Sequence, residues 1–270
     1  MTAPAYRRPP TPGTGPMSGA DGMEIVGNGF LARNLRPIAD RHPGTVVLAA
    51  GVSWAAGTSD ADFAREATLL ADVAEDCRAK GRRLLFFSTA ATGMYGAVDG
   101  PGREDSPLTT CTPYGDHKYA LEQQLRASGA EYLILRLGHL VGQGQPPHQL
   151  VPALVRQVQE GSVRIHRGAA RDLIDVRDVI TIIDRLLAQD LRGETVNVAS
   201  GEAVPVERIV DHLAERLGVT VHRDVRDTAT VHHVISTEKL RALVPETAAM
   251  GFGPDYHRRV LDDFLASYSA

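Results

Sequence analysis

Residues 84–96 read Leu-Leu-Phe-Phe-Ser-Thr-Ala-Ala-Thr-Gly-Met-Tyr-Gly, and residues 114–118 read Tyr-Gly-Asp-His-Lys. The four apolar residues predict a buried strand that breaks into a loop of hydroxyl-bearing and small residues. The second stretch opens a segment with helical spacing, which stacks Tyr114 and Lys118 on one helical face. An ammonium group there favours the phenolate, so the phenol can exchange a proton near neutral pH.

The composition is that of an ordinary globular enzyme. The chain has 270 residues, a mass of 29.0 kDa, 43% hydrophobic residues and a net charge of −4. This charge gives no electrostatic reason to expect nucleic acid, and no apolar run reaches membrane-spanning length. The two cysteines, Cys77 and Cys111, form neither a disulfide framework nor a metal pattern. We therefore expect a soluble, cytoplasmic protein with reduced thiols.

The first 22 residues differ in composition from the remainder. They contain five prolines and four glycines and almost nothing to bury. A segment of this kind cannot offset the entropy of ordering, so residues 1–22 are predicted to be a disordered tail.

The first strand is predicted to begin at Met23 and to run into a glycine turn and then a helix from Arg33 to about Arg41. In such a turn Gly27 allows tight bending, Gly29 lets the backbone approach a pyrophosphate, and Ala32 lets the helix pack close to the strand. Strand-to-helix units recur along the chain. Strands alternating with helices predict an α/β fold, a Rossmann-like doubly wound parallel sheet with helices on both faces. The further predicted elements are strands 45–53 and 131–137, helices 60–80, 151–159, 206–217 and 256–265, and an edge strand 163–167.

The ordered set of motifs resembles the extended short-chain dehydrogenase/reductases, in particular the nucleotide-sugar epimerase, dehydratase and ketoreductase branch. The motifs are Gly-x-Gly-Phe-Leu-Ala at 27–32, Val-Leu-Ala-Ala-Gly at 47–51, Phe-Ser-Thr at 87–89, Tyr-x-x-x-Lys at 114–118, Arg-Asp-Leu-Ile-Asp-Val-Arg-Asp-Val at 171–179 and Val-Asn-Val-Ala-Ser at 196–200. The resemblance covers nearly all of residues 23–201.

This resemblance implies roles for individual residues. Tyr114 would be the general acid/base, Lys118 would hold the nicotinamide ribose, and Thr89 would bind the reacting oxygen, with Ser88 or Thr92 as alternatives to Thr89. NADP(H) or NAD(H) would be the cofactor. The residues implied to bind it are Gly27, Asn28, Gly29, Phe30, Leu31, Arg33, Ala49, Ala50, Gly51, Tyr114 and Lys118.

The sequence departs from the family's pattern in its first unit. Val26 stands where the family's first glycine is usual, and the segment before Thr45 is too short for the second and third strands of a full dinucleotide fold. The carboxylate that usually binds the adenosine ribose is therefore also expected to be missing. Because Arg33 and Arg36 lie in the first helix, a 2′-phosphate would meet positive charge, which favours NADP(H).

The remainder of the chain resembles the family's small substrate lobe. We assign residues 23–201 to the dinucleotide-binding core, with 143–170 contributing to the lobe, and residues 202–270 to the lobe itself. An arginine commonly meets the diphosphate there, and Arg171 and Arg164 are the candidates. The residues proposed to contact substrate are Thr92, Tyr95, His139 and Arg171. His139 and Val141 stand where many relatives have Asn and Tyr.

Several functions remain open at this point. The favoured one is an NAD(P)H-dependent ketoreductase acting on a nucleotide-activated sugar. The alternatives are a nucleotide-sugar epimerase, a ketoreductase of a polyketide or another natural product, and a dinucleotide sensor without catalysis. Ala90 and Ala91 take the place of a dehydratase's carboxylate pair, which argues against dehydration. No metal site is predicted from the ten histidines, and a second copy of the chain is a candidate partner.

Overall fold

The computed structural model describes residues 22–52, 58–90, 93–96, 100–227 and 234–268. Its strands are β1 (Glu24–Val26), β2 (Thr45–Leu48), β3 (Arg83–Thr89), β4 (Glu131–Leu137), β5 (His139–Val141), β6 (Ser162–His166), β7 (Ala170–Asp175), β8 (Glu194–Val198), β9 (Ala203–Pro205) and β10 (His222–Arg226). Its α-helices are α1 (Phe30–Leu35), α2 (Asp60–Lys80), α3 (Pro113–Ala127), α4 (Leu150–Gln159), α5 (Val176–Ala188), α6 (Val206–Leu217), α7 (Glu238–Leu243) and α8 (Tyr256–Tyr268). The predicted tail lies outside the described residues except for Gly22.

A central sheet of five parallel strands, in the order β1-β2-β3-β4-β8, organises the described part of the chain. Side chains alternate between its two faces. One apolar cluster joins Val47 and Leu85 to α1 and α5, and another joins Val46 and Leu84 to α2 and α3. The α/β fold with a parallel sheet and helices on both faces is therefore confirmed.

The strand β1 lies at the edge of this sheet and is linked to β2 by α1 and a 3-10 helix, Arg36–Arg41. The links β1 to β2 and β2 to β3 step across the sheet in the same direction, but α1 and α2 pack on opposite faces. These two crossovers therefore have opposite hands, and one of them departs from the right-handed rule. Among the described residues no strand lies beyond β1, in agreement with the predicted loss of two strands.

The first helix differs from its prediction. It begins at Phe30 rather than Arg33, and it changes to 3-10 geometry at Arg36. Pro37 lacks the N–H that an α-helix needs, and its ring crowds the carbonyl of Arg33, which accounts for the change. Helix α2, in contrast, has the predicted bounds, because Ser59 and Asp62 form a capping box and Gly81 ends it with a φ of 62°.

A third apolar cluster lies beyond the central sheet. It joins α4, α6 and α8 to the strands β6, β7 and β9, for example through Val155, Ile209 and Leu261. The predicted edge strand is β6, which pairs in parallel with β10. Helix α7, in the segment assigned to the lobe, packs instead on the central sheet through Leu240.

Candidate active site

A cleft of about 440 Å³ opens at the carboxyl ends of strands β1 to β4. This is the edge at which parallel α/β sheets bind their ligands. Its walls come from the turn after β1, the ends of β2 and β3, helix α3, and the segment 137–150. The lining residues are Gly29, Phe30, Leu31, Leu48, Ala49, Gly51, Val52, Glu66, Phe87, Ser88, Thr89, Tyr114, Lys118, Leu137, Gly138, His139, Leu140, Gln145, Pro146, His148, Gln149, Leu150 and Arg171.

The two glycines of the first turn meet different surroundings. Gly27 has a φ of 131°, and a Cβ added there would lie 2.6 Å from the carbonyl oxygen of Ala49. Gly29 lines the cleft, and a Cβ added there would have no atom of the described residues within 4 Å. Gly27 therefore permits the close contact between the turn and the end of β2, whereas Gly29 leaves open space beside the backbone. A group such as a pyrophosphate fits this open space.

The residues predicted to hold a dinucleotide divide into two sets. Those that line the cleft are Gly29, Phe30, Leu31, Ala49, Gly51, Tyr114 and Lys118, and those that do not are Gly27, Asn28, Arg33 and Ala50. Arg33 donates to the backbone oxygens of Asn28 at 3.0 Å and of Gly144 at 3.1 Å. The guanidinium thus joins the glycine turn to the loop before α4, a role that its sequence position did not indicate.

Tyr114 and Lys118 lie together on the cleft side of α3. The Lys118 Nζ is 5.8 Å from the centroid of the Tyr114 ring and donates to the Phe87 carbonyl oxygen at 3.3 Å. The hydroxyl of Tyr114 donates to the Val52 carbonyl oxygen at 3.3 Å. Thr112 caps this helix by accepting from the N–H of Gly115, and Pro113 occupies its first position. The cap fixes where the helix begins, and therefore where Tyr114 projects.

Two hydroxyl-bearing residues stand at the end of β3. Ser88 and Thr89 both line the cleft, and Thr92 lies outside the described residues. The Oγ of Ser88 is buried without a hydrogen-bond partner within the described chain. A buried hydroxyl without a hydrogen bond destabilises the fold unless a ligand or a water molecule supplies the bond. Ser88 is thus as well placed as Thr89 to contact a ligand oxygen.

Glu66 is a cleft residue that the sequence analysis missed. Its Oε1 accepts from Lys118 Nζ at 2.6 Å, and its Oε2 lies 2.9 Å from His117 Nε2. A signal was present, since Glu66 shares the buried stripe of α2 with Leu70, Ala74 and Cys77. An acidic residue on the apolar side of a helix has to find a partner.

The electrostatics of this group follow from burial and pairing. Burial opposes the ionisation of Glu66, but His117 and Lys118 outweigh it and lower the pKa of the carboxyl to about 2. Burial raises the pKa of Tyr114; Lys118 opposes this rise and Glu66 adds to it. Lys118 thus favours the phenolate, as expected from the sequence, but burial outweighs this effect and the net pKa of Tyr114 is raised above its usual value. Tyr114 is protonated at neutral pH, the state of a proton donor.

The predicted substrate residues do not all meet at the cleft. His139 and Arg171 line it, whereas Tyr95 is fully buried elsewhere. The Tyr95 hydroxyl donates to Asn197 Oδ1 at 2.6 Å and accepts from Arg136 at 3.1 Å, so this ring packs inside the protein rather than against a ligand. Arg164 is also remote, since it is exposed on β6 and pairs with Asp224 at 3.3 Å.

Arg171 differs from the other arginines near the cleft. It is half-buried and donates to the carbonyl oxygen of Ala170 at 2.7 Å, and burial lowers its pKa. No carboxylate of the described residues forms an ion pair with it. A cation that is partly desolvated without a counter-charge is suited to receive an anionic group of a ligand.

The described residues contain neither a metal-binding cluster nor a membrane-spanning helix. No three side chains of His, Cys, Asp or Glu gather where they could hold a metal ion. Among the helices within the described ranges, none has both the length and the hydropathy needed to cross a membrane.

Comparison with known proteins gives matches at the level of sequence. The sequence profile of the NAD dependent epimerase/dehydratase family matches residues 31–199. A dTDP-6-deoxy-L-talose 4-dehydrogenase (NAD(P)(+)) from Kitasatospora kifunensis is 27% identical over 190 residues, covering 65% of this chain and 59% of that protein. The match thus spans less than two thirds of the length of this curated relative.

Solved structures with a similar fold hold nicotinamide dinucleotides. RMD from Pseudomonas aeruginosa, in complex with NADPH, has a TM-score of 0.73 at 19% identity, over 92% of this chain and 99% of that chain. UDP-glucose 4-epimerase from Thermus thermophilus, in complex with NAD, has a TM-score of 0.67 at 25% identity, over 88% of this chain and 81% of that chain.

Proposed function

Because the chain belongs to the NAD dependent epimerase/dehydratase family, we propose that it is an NAD(P)H-dependent ketoreductase that acts on a nucleotide-activated deoxysugar. Family membership confirms the resemblance to the extended short-chain dehydrogenase/reductases. The observation that carries the proposal is the meeting of Tyr114, Lys118 and the hydroxyls at the end of β3 in one cleft. The name of the Kitasatospora relative supports a dTDP-sugar and its C4 carbonyl as the substrate class and the reacting group.

The residues that would hold the cofactor fit a dinucleotide. Gly29 leaves room beside the backbone for a pyrophosphate, and Ala49 and Gly51 present a wall without long side chains. Lys118 lines the cleft within reach of Tyr114, as a ribose-binding lysine would. When bound, the nicotinamide supplies or accepts the hydride.

In the reductive direction Tyr114 would protonate the oxygen of the keto group. Its raised pKa keeps it in the protonated form until that step, and the Lys118 ammonium stabilises the tyrosinate that results. Thr89 or Ser88 would donate a hydrogen bond to the same oxygen and so orient the carbonyl. Arg171 would receive the diphosphate of the sugar nucleotide.

Two observations favour reduction over epimerisation. In the described part of the chain the sheet ends at β1, so the strands that enclose the adenosine of a dinucleotide in a full fold have no counterpart there. Of the carboxyl groups described, no Asp or Glu lines the cleft except Glu66, which Lys118 and His117 engage. Weak retention of the dinucleotide suits a reductase, which exchanges its cofactor at every turnover, and not an epimerase, which keeps it.

The proposal is tested by two measurements on the purified protein. Calorimetric titration with NADPH and NADH gives the affinity and preference for the cofactor. The absorbance of the reduced nicotinamide is then followed with dTDP- and UDP-4-keto-6-deoxysugars. Stoichiometric loss of reduced cofactor supports the ketoreductase. Tightly copurifying NAD with interconversion of sugar epimers and no net consumption would overturn it in favour of the epimerase.

A further inference from the structure

The carboxylate of Glu66 is a buried charge with a full set of partners. Its residue is 3% exposed, and it accepts hydrogen bonds from Lys118, His117 and the backbone N–H of Val52. Burial of a carboxylate is unfavourable unless such partners compensate it. The position of Glu66 is therefore fixed from three sides.

Gly51 makes this arrangement possible. A Cβ at residue 51 would lie 2.3 Å from Glu66 Oε1 and 3.2 Å from Lys118 Nζ. The backbone at the end of β2 thus approaches the ion pair more closely than any residue with a side chain would allow. Gly51, Glu66 and Lys118 all line the cleft, so the ion pair lies beside Gly51 at the surface that a ligand meets.

The ammonium of Lys118 has three N–H donors. One is directed to Glu66 at 2.6 Å and one to the Phe87 carbonyl oxygen at 3.3 Å, which leaves one for a ligand in the cleft. Its positive charge is offset by the carboxylate at hydrogen-bond distance. The field that Tyr114 experiences is therefore that of a paired charge and not that of a free cation.

We propose that Glu66 is a positioning residue that holds the Lys118 ammonium and offsets its charge, and thereby sets the pH at which Tyr114 changes between proton donor and proton acceptor. The inference rests on the proposed function in that it deepens the role of the Tyr114–Lys118 pair. Glu66, which lies on α2, is then a third residue that acts together with Tyr114 and Lys118 of α3.

Other charged groups face this pair from the elements packed around it. On α3 these are His117 and Glu122, the second of which pairs with the buried Arg136 of β4 at 2.7 Å. From the opposite wall of the cleft come His139, His148 and Arg171. Within the described chain, Glu66 is the carboxylate that contacts Lys118, and its removal is therefore the change that acts most directly on the charge beside Tyr114.

The test is the variant Glu66→Gln. The amide oxygen of glutamine can still accept from Lys118, but the negative charge is lost, so the phenolate of Tyr114 becomes more favourable. The assay follows oxidation of the sugar alcohol with NADP+ or NAD+, in which kcat/KM rises with pH. We expect this rise to occur at a pH lower by about one unit or more, which corresponds to a tenfold change in the ionisation constant. Glu75→Gln, which removes a charge from the exposed side of the same helix, should leave the profile where it is.

A second measurement does not need a substrate. The ultraviolet absorbance of the phenolate is titrated in the unmodified chain and in Glu66→Gln, each against the same chain carrying Tyr114→Phe, because the sequence contains seven tyrosines. We expect the Tyr114 phenolate to form at lower pH in Glu66→Gln. This shift would hold even if no sugar nucleotide were turned over, and so it separates the inference from the proposed function.

A further variant guards against a folding defect in Glu66→Gln. Gly51→Ala keeps every charge but forces the carboxylate away from the ammonium, and it should shift the phenolate titration in the same direction. Unchanged titration midpoints in both variants, or midpoints moved to higher pH, would overturn the inference. A loss of thermal stability without any shift of the Tyr114 titration would likewise overturn it, since that result describes a purely structural carboxylate.

Discussion

The hydroxyl of Tyr114 donates its hydrogen to the carbonyl oxygen of Val52, across 3.3 Å. The same residue, Val52, donates its backbone N–H to Glu66. The phenol is thus held against the segment that follows β2, where Gly51 and Val52 line the cleft. At 3.3 Å the bond is long, so a carbonyl substrate can compete for the hydroxyl at little cost.

The first prediction concerns this hydroxyl. Tyr114→Phe should lower kcat of sugar reduction by about 100-fold or more, because the proton donor is lost. Dinucleotide affinity and thermal stability should stay close to those of the unmodified protein, since one long hydrogen bond is removed. Stopped-flow kinetics and calorimetry measure the two effects. A variant with near-normal turnover would show that the proton comes from elsewhere.

Gly29→Ala tests the open space beside the glycine turn. Residue 29 has a φ of −70°, which alanine adopts without strain, and an added Cβ meets no protein atom within 4 Å. The denaturation midpoint should therefore be unchanged. The dissociation constant for NADPH should rise by about tenfold or more, because the methyl group would occupy space meant for the pyrophosphate. Unaltered NADPH affinity would place the phosphates away from Gly29.

Gly27→Ala should act on stability instead. The φ of 131° and the 2.6 Å contact with the Ala49 carbonyl oxygen leave no room for a Cβ. We expect the free energy of unfolding to fall by about 2 to 4 kcal/mol in denaturant titration. Gly44→Ala is the matched control, with a φ of 76° and no atom within 4 Å. It should cost only about 1 kcal/mol, and equal losses in the two variants would contradict the role of the close contact.

Arg171→Gln should separate ligand binding from stability. The guanidinium has no carboxylate partner among the described residues, and burial lowers its pKa. Its removal should leave the protein as stable as before or slightly more stable in thermal denaturation. The KM for the nucleotide sugar should rise by about tenfold or more while the dissociation constant of NADPH changes little. A marked loss of stability would instead indicate a structural ion pair.

Asp172 predicts a pH dependence of stability. Burial raises its pKa from 3.8 to about 6, although Ser200 and Gly201 donate to it. Because the pKa is higher in the folded chain, the folded state holds the proton more strongly. The stability that this proton contributes is present in full below about pH 4 and is lost as the pH rises through about 6. The change amounts to about 3 kcal/mol.

The measurement compares the unmodified chain with Asp172→Asn by denaturant titration between about pH 3 and pH 7, an interval that contains both 3.8 and about 6. As the pH rises across this interval, the unfolding free energy of the unmodified chain should fall relative to that of Asp172→Asn. Parallel curves for the two proteins would contradict the raised pKa.

Most of the fold could be predicted from residues that are close together in the sequence. Helix α2 could be bounded at Asp60 and Lys80 because its cap residues, Ser59 and Gly81, are neighbours in the chain. The loss of two strands followed from the few residues available before Thr45. The 3-10 segment differs from the prediction because Pro37 interrupts the hydrogen bonding of a pattern that is otherwise helical.

Residues of the site could be predicted from the sequence only where they belong to motifs that follow one another in a known order. Tyr114 and Lys118 are four residues apart, and they lie together as their spacing requires. Glu66 is separated from Lys118 by 52 positions, so no pattern within either helix could pair them. Whether Tyr95 contacts substrate or packs inside the protein could likewise not be predicted. Its hydrogen-bond partner Asn197, which holds the ring inside the protein, is 102 positions away.

The peripheral position of β1 has a consequence for hydrogen exchange. A strand at the margin of a sheet has a ladder partner on one side only, here β2, and such strands open at lower free energy than central ones. The turn that carries Gly29 follows this strand directly. A ligand bound at the turn contributes its binding free energy to keeping β1 closed, so amide protons of residues 24–26 should report dinucleotide occupancy more sensitively than those of β3 or β4.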